Sequence, residues 1–147
     1  MVSIDFEKIK SDVAPAYLEF LRELTLVCHA NDITVTVDDY LPTDATAYYD
    51  WKEQGKVADY VIFMAYDERY AGSKESGSLP FVENGVDKGL QYIPAERTVV
   101  ALPFYTRLWK EVKSGDGVAV TSSAYGMSSA ESVLQSNSAT PKWDEET

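Results

Sequence analysis

Four short runs of strand character punctuate the first two-thirds of the chain. They are Val2 to Glu7 (VSIDFE), Thr34 to Asp38 (TVTVD), Tyr60 to Tyr66 (YVIFMAY) and Thr98 to Pro103 (TVVALP). β-Branched and aromatic residues dominate them, as suits a pleated, half-buried surface. The stretches between have a different period. From Pro15 to Ala30 the residues Tyr17, Leu21, Leu24 and Cys28 recur at the spacing of one helical face. Pro15 suits a first helical turn, and Asn31 suits the left-handed residue that ends a helix. A short helix is expected around Tyr48 to Gln54, and another from about Phe81 to Tyr92. A Gly- and Ser-rich loop runs from Asp67 to Ser78. From Gly115 onward the chain turns polar and Ser-rich, with one helical turn expected near Ala130 to Leu134. No internal repeat or low-complexity linker is visible.

Strands alternating with helices predict βαβ units, a parallel sheet and right-handed crossovers. Four strands would suffice for a flavodoxin-like open sheet, but such a sheet is apolar on both faces. Here Ser3, Asp5 and Glu7 share one face of the first run, opposite Val2, Ile4 and Phe6, because side chains alternate. Thr34, Thr36 and Asp38 oppose Val35 and Val37 in the same way. Met64 and Tyr66 share a face of the third run, and Ala101, Pro103, Tyr105 and Arg107 extend one face of the fourth. Polar groups gathered on one face, toward the C-terminal strand ends, are how the mouth of a (β/α)-barrel is built.

With 147 residues the chain is one domain or part of one. A whole (β/α)8 barrel takes about 250 residues, so a fragment of one is expected. The net charge is −11, from 13 Lys and Arg against 24 Asp and Glu. Such a surface repels phosphate backbones and anionic lipid, which argues against nucleic-acid and membrane partners. One cysteine, Cys28, cannot make an internal disulfide, and one histidine, His29, cannot build a zinc site alone. No metal or organic cofactor is expected. No run approaches the ~20 apolar residues of a membrane span, and MVSIDFEKIK lacks the basic and apolar regions of a signal peptide.

Asp5 and Glu7 are the sharpest chemical signal. Two carboxyls about 7 Å apart along a strand, facing a confined interior, do not both ionise cheaply. One then keeps its proton and can act as a general acid. Spacing alone also allows a solvated strand end.

The order of motifs adds weight. Ile4-Asp5-Phe6-Glu7, Met64 to Glu68 (MAYDE), Leu79 to Glu83 (LPFVE), Pro103 to Trp109 (PFYTRLW), Tyr125-Gly126-Met127 and Trp143 to Glu146 (WDEE) resemble family 18 glycoside hydrolases. The likeness is to the bacterial spore-cortex-lytic, peptidoglycan N-acetylglucosaminidase branch. It implies an α/β fold: a (β/α)8 TIM-barrel fragment holding about strands four to seven. Residues 1–147 would be a partial catalytic domain, its C-terminal half without the last strand. The family's mechanism is retaining and substrate-assisted, the sugar's own N-acetyl oxygen attacking the anomeric carbon. By this resemblance Glu7 matches the proton donor and Asp5 the aspartate that orients the acetamido group. Tyr66 matches the tyrosine that hydrogen-bonds its oxygen. Met64 and Asp67 would line the same subsite, with Tyr105 and Arg107 bordering the cleft.

The chain also departs from the family pattern. The signature's first Asp would precede residue 1, Met1 replaces its Gly, and Ser3 stands at its middle Asp. Arg69 stands where the branch often has His, and the eighth strand with its Trp would lie beyond Thr147. Asp38 and Asp39 could contact sugar or cap the following loop. Trp109 could stack on sugar, whereas Trp51, on a helix, reads as core. Cys28 reads as a packed thiol and His29 as a charge suited to a helix C-terminus. The implied partner is an N-acetylglucosamine-containing glycan at a cell wall or spore. A non-catalytic sugar-binding relative of the same fold is the alternative. Cut barrel edges also predict a homodimer or higher oligomer.

Overall fold

The apolar runs do make the core, and their polarity pattern sets the layers. Val35, Val37, Val61 and Phe63 are each at most 1% exposed. They belong to β2 (Val35–Tyr40) and β3 (Tyr60–Met64), the two inner strands of a parallel sheet. β1 (Val2–Ile4) pairs with β2, and β4 (Thr98–Ala101) with β3, giving the order β1-β2-β3-β4. The structure is a computed structural model that describes residues 1–68, 78–115 and 117–143. It divides into two units, Met1–Ala65 with Val82–Ala101, and Tyr66–Phe81 with Leu102–Thr147.

In the first unit α1 (Ala14–His29) lays Tyr17, Leu21 and Cys28 on the sheet, the face read from their spacing. Tyr17 and Leu21 join Ile4, Val37 and Ala58 in one cluster, with Leu24 packed at its margin. The helix ends differently from expectation. Asp32, not Asn31, takes the left-handed backbone (φ 56°), while the Asn31 side-chain amide donates to the Val27 carbonyl at 2.8 Å. The Tyr48–Gln54 helix resolves into a 3-10 turn, Asp44–Tyr49, and then α2 (Trp51–Val57). Asp50 (φ 52°) breaks the chain between them and its carboxylate caps the Glu53 amide at 3.3 Å. α3 (Leu79–Leu90) comes close to the sheet through glycine: a Cβ on Gly89 would sit 2.4 Å from Phe63 Cε2. Trp51 is buried, as expected of core, and so is Cys28.

All four strand ends differ from the sequence reading, β2 running on to Tyr40 and the other three stopping short. β1 stops at Ile4, because only Val2, Ser3 and Ile4 find partners, in Val35, Thr36 and Val37. The chain then leaves the sheet through a turn containing Lys8 at φ 58°. Asp5 and Glu7 therefore lie past the strand end, both exposed, instead of on its inner face. β3 ends at Met64, before Tyr66, and β4 ends at Ala101, before Tyr105 and Arg107.

In the second unit those last two residues open an antiparallel hairpin, β5 (Tyr105–Ser114) with β6 (Gly117–Gly126). The polar tail is thus mostly structured, ending in α4 (Met127–Ser136) in place of a single turn. The signal passed over was Ser114-Gly115-Asp116-Gly117 between two alternating runs, a hairpin turn sequence. Gly115 has φ 59°, and Ser114 pairs with Gly117 in register. Ala130, Val133 and Leu134 of α4 line a mainly apolar cavity of about 210 Å3 with Thr106, Leu108 and Tyr125.

Candidate active site

Parallel strands bring their C-terminal ends to one edge of the sheet, the edge where (β/α) proteins place their chemistry. In the first unit that edge holds Asp5 and Glu7 after β1, Asp38 to Tyr40 closing β2, and Met64 closing β3, itself nearly buried. Alternation puts Thr36, Asp38 and Tyr40 on one face of β2. Ser3, in register with Thr36, accepts a hydrogen bond from Thr36 Oγ1 at 2.8 Å and donates to Asp38 Oδ2 at 2.7 Å. Tyr40 donates its hydroxyl to Glu7 Oε2 at 3.0 Å. Partial desolvation raises the Asp5 carboxyl above the usual range, and the Glu7 and Asp38 carboxylates raise it further.

Behind this rim lies a further acid. Asp39 is fully buried and does not face solvent. It accepts from Gln54 Nε2 at 3.3 Å, and the same amide donates to the Tyr49 carbonyl at 2.6 Å. Burial pushes Asp39 up to about 7, opposed by the Gln54 hydrogen bond and helped by the Asp38 charge. Tyr17, also buried, has its phenol pushed up by burial first and then by Asp39.

The remaining predicted residues belong to the second unit. Arg107 donates from both Nε (2.9 Å) and Nη2 (2.7 Å) to Asp67 Oδ1, and from Nη1 to Ser122 Oγ at 3.4 Å. The Asp67 carboxylate raises the Arg107 pKa in turn. Burial pushes Tyr105 up to about 12, and its hydrogen bond to Asp67 adds to this. The Tyr66 and Tyr105 rings meet edge to face with centroids 6.1 Å apart. Trp109 follows Tyr105 and Arg107 on one face of β5, opposite Ser122. Its indole Nε1 is buried and has no hydrogen-bond partner among the described residues. Arg69 and the last residues of the WDEE motif lie outside the described residues.

Two clusters therefore form, each within its own unit: Asp5, Glu7 and Asp38, and Tyr66, Asp67, Tyr105, Arg107 and Trp109. The sequence reading missed Tyr40, Tyr49 and Gln54. Tyr40 was legible in principle, since Thr36, Asp38 and Tyr40 continue one alternation, but the second strand was ended at Asp38. Among the described residues no group of three or more His, Cys, Asp or Glu side chains could hold a metal ion. No helix among them is long and apolar enough to cross a membrane.

A parallel α/β sheet with acids at its C-terminal edge places the chain among (β/α) proteins, and comparison with known proteins narrows the class. No family model matches the chain. By sequence it is 27% identical over 116 residues to YdhD of Bacillus subtilis (strain 168), named a sporulation-specific glycosylase. It is 25% identical over 116 residues to the cortical fragment-lytic enzyme of the same organism. Each match covers 74% of this chain but only 27% of the relative, so the chain spans about a quarter of their length. The crystal structure of YdhD superposes with a TM-score of 0.85 at 22% identity, over 99% of this chain and 50% of that one. A chitinase from Chromobacterium violaceum ATCC 12472 superposes at 0.84 with 19% identity, over 99% of this chain and 46% of that one. The fold is that of chitinase-like barrel proteins, and the resemblance read from the ordered motifs agrees with these relatives.

Proposed function

We propose that the chain is part of a glycoside hydrolase that cleaves β-linked N-acetylglucosamine in spore-cortex peptidoglycan or a chitin-like glycan. It would supply about strands four to seven of the barrel, as a partial catalytic domain. Glu7 is the general acid. As the substrate's N-acetyl oxygen attacks the anomeric carbon, the glycosidic C–O bond breaks and its electron pair goes to the leaving oxygen. That oxygen takes the proton of Glu7, which then serves as base for the water that opens the cyclic intermediate. Asp5, its carboxyl raised, accepts from or donates to the acetamido group as charge develops, and Tyr66 steadies the acetamido oxygen. Asp38 and Met64 in the first unit, and Asp67, Tyr105, Arg107 and Trp109 in the second, are proposed as substrate-binding residues.

The observation that supports this most is Glu7 at the C-terminal edge of the sheet with one carboxyl oxygen held by Tyr40 and a raised Asp5 beside it. Ser3 at the signature's middle acid favours the second reading, a non-catalytic sugar-binding protein. Glu7→Gln in the full-length protein decides between them. Loss of a general acid costs roughly 10²–10⁴ in rate, with binding of N-acetylglucosamine oligomers kept. Asp5→Asn is expected to cost more than Tyr66→Phe. Wild-type turnover by Glu7→Gln would refute the assignment.

The 147-residue chain by itself is expected to be inactive and to self-associate. β1 and β4 are the edge strands of its sheet, and successive residues Val99 and Val100 of β4 are 42% and 37% exposed. Unpaired strand edges invite another chain. Light scattering that returned a monomer at all concentrations would remove this expectation.

A further inference from the structure

The turn that carries Glu7 is an unusual piece of backbone. Lys8, immediately after the acid, sits at φ 58°, in the left-handed region that a residue with a Cβ enters at a cost of roughly 1–2 kcal/mol. Such conformations persist where the surroundings over-determine them. Two tyrosines from outside the turn do so here. Tyr49, 4% exposed, accepts the Ile9 amide at its hydroxyl at 3.1 Å. Tyr40 donates its hydroxyl to Glu7 Oε2 at 3.0 Å. The two rings pack edge to face, with centroids 5.7 Å apart and an interplanar angle of 85°. Tyr40 itself is fixed at the end of β2, in register with Met64 of β3.

We propose that Tyr40 is a positioning residue for the acid: its hydroxyl holds Glu7 Oε2 and leaves Oε1 to deliver the proton to the leaving oxygen. This rests on Glu7 being the proton donor. The two tyrosines divide the labour: Tyr49, accepting from the Ile9 amide, fixes the backbone of the turn, and Tyr40, donating to Glu7, fixes which oxygen faces outward. Burial and the Glu7 hydrogen bond push the Tyr40 phenol up to about 12, so the hydroxyl remains a donor throughout the neutral range. Tyr49 holds the same turn through the Ile9 amide and not through the acid's carboxyl, which makes it the natural control.

A positioning role has a readout that a structural role lacks. An acid matters most when the leaving group is a poor one, such as a sugar hydroxyl, and little when it departs as a stable anion, such as dinitrophenolate. In the full-length protein, Tyr40→Phe keeps the ring on Tyr49 and removes only the hydroxyl. One charge-assisted hydrogen bond corresponds to roughly a 10-fold to 100-fold effect. We expect kcat/KM on N-acetylglucosamine oligomers to fall by about that factor, and kcat/KM on the dinitrophenyl glycoside, which reports only the step in which the leaving group departs, to change less than about twofold. Tyr49→Phe is expected to slow both substrates alike, and Glu7→Gln to show the leaving-group dependence in its largest form. Equal losses on both substrates in Tyr40→Phe, or none on either, would overturn the proposal while leaving Glu7 as the acid. Glu7→Gln without leaving-group dependence would overturn the underlying reading instead, and the Tyr40 role with it.

Discussion

Replacing Asp39 by Asn should make the first unit more stable, and more so as the pH rises. Asp39 is 0% exposed and its carboxyl, ordinarily at 3.8, is pushed up to about 7, burial being the largest cause. An acid whose pKa is raised on folding keeps its proton in the folded state while the unfolded chain has lost it. Stability is then fully present below the unfolded value and is lost as pH climbs from about 4 to about 7. The rise corresponds to about 4 kcal/mol, at 1.36 kcal/mol for each tenfold change in proton affinity. Three other titratable groups are coupled to Asp39: Asp38 raises it further, and Tyr17 and Tyr49 feel its charge. The pair is also incomplete as an anion. Asp39 Oδ2 and Gln54 Oε1 are both buried without a hydrogen-bond partner among the described residues, beside the Gln54 Nε2 to Oδ1 contact at 3.3 Å. A neutral acid can donate to one of these orphans, and so can the amide of Asn, which has no proton to lose.

The assay is amide hydrogen exchange at β2 and β3, corrected for the intrinsic pH dependence of exchange and read at intervals from pH 4 to 8. The two proteins should match within about 1 kcal/mol near pH 4, the scale of one neutral hydrogen bond. The variant's advantage should open through pH 5 and 6 and level off near 4 kcal/mol above pH 7. All other carboxylates are common to both proteins and cancel in the difference. A gap that stayed flat across this range would show that Asp39 does not titrate there and would refute the reasoning.

Two further outcomes follow from the first unit. Gly89→Ala, in the last turn of α3 where alanine ordinarily gains up to about 1 kcal/mol, should instead destabilise by about 1–3 kcal/mol, because its Cβ would meet Phe63 at 2.4 Å in a packed core. A raised melting temperature would contradict this. Asp59→Asn should lower stability at neutral pH and flatten the acid limb. Burial pulls Asp59 up, but the Val35 amide at 2.8 Å, His29 and Arg97 outweigh it and hold its carboxyl low. Its contribution is therefore present above the unfolded value and lost as pH falls below about 4; an unchanged acid limb in denaturant titrations would count against it.

What could be read from the sequence, and what could not, divides along the range of the interactions involved. The helix from Tyr17 to Cys28 and the inner strands were legible because their burial repeats with the local period, whatever packs on them. Strand ends were less so. β1 looks like a six-residue run, yet a strand extends only as far as its neighbour can hydrogen-bond to it, and the last partner found is Val37 for Ile4. The consequence reaches the chemistry. Asp5 and Glu7 are neighbours in a turn and not on a pleated face, so their separation and orientation are set by Lys8, Tyr40 and Tyr49 more than by strand geometry. The hairpin was missed for a related reason: its β5 strand carries Arg107, Lys110, Glu111 and Lys113, and charge at alternate and adjacent positions blurs the apolar period. Asp39 shows the limit most clearly. Beside Asp38 it reads as one more polar rim residue, but in a strand the neighbour of an outward side chain points inward. Had the second strand been carried two residues further, to Tyr40, the same alternation would have placed Asp39 in the core with Val35 and Val37, and Tyr40 at the rim within reach of the acid.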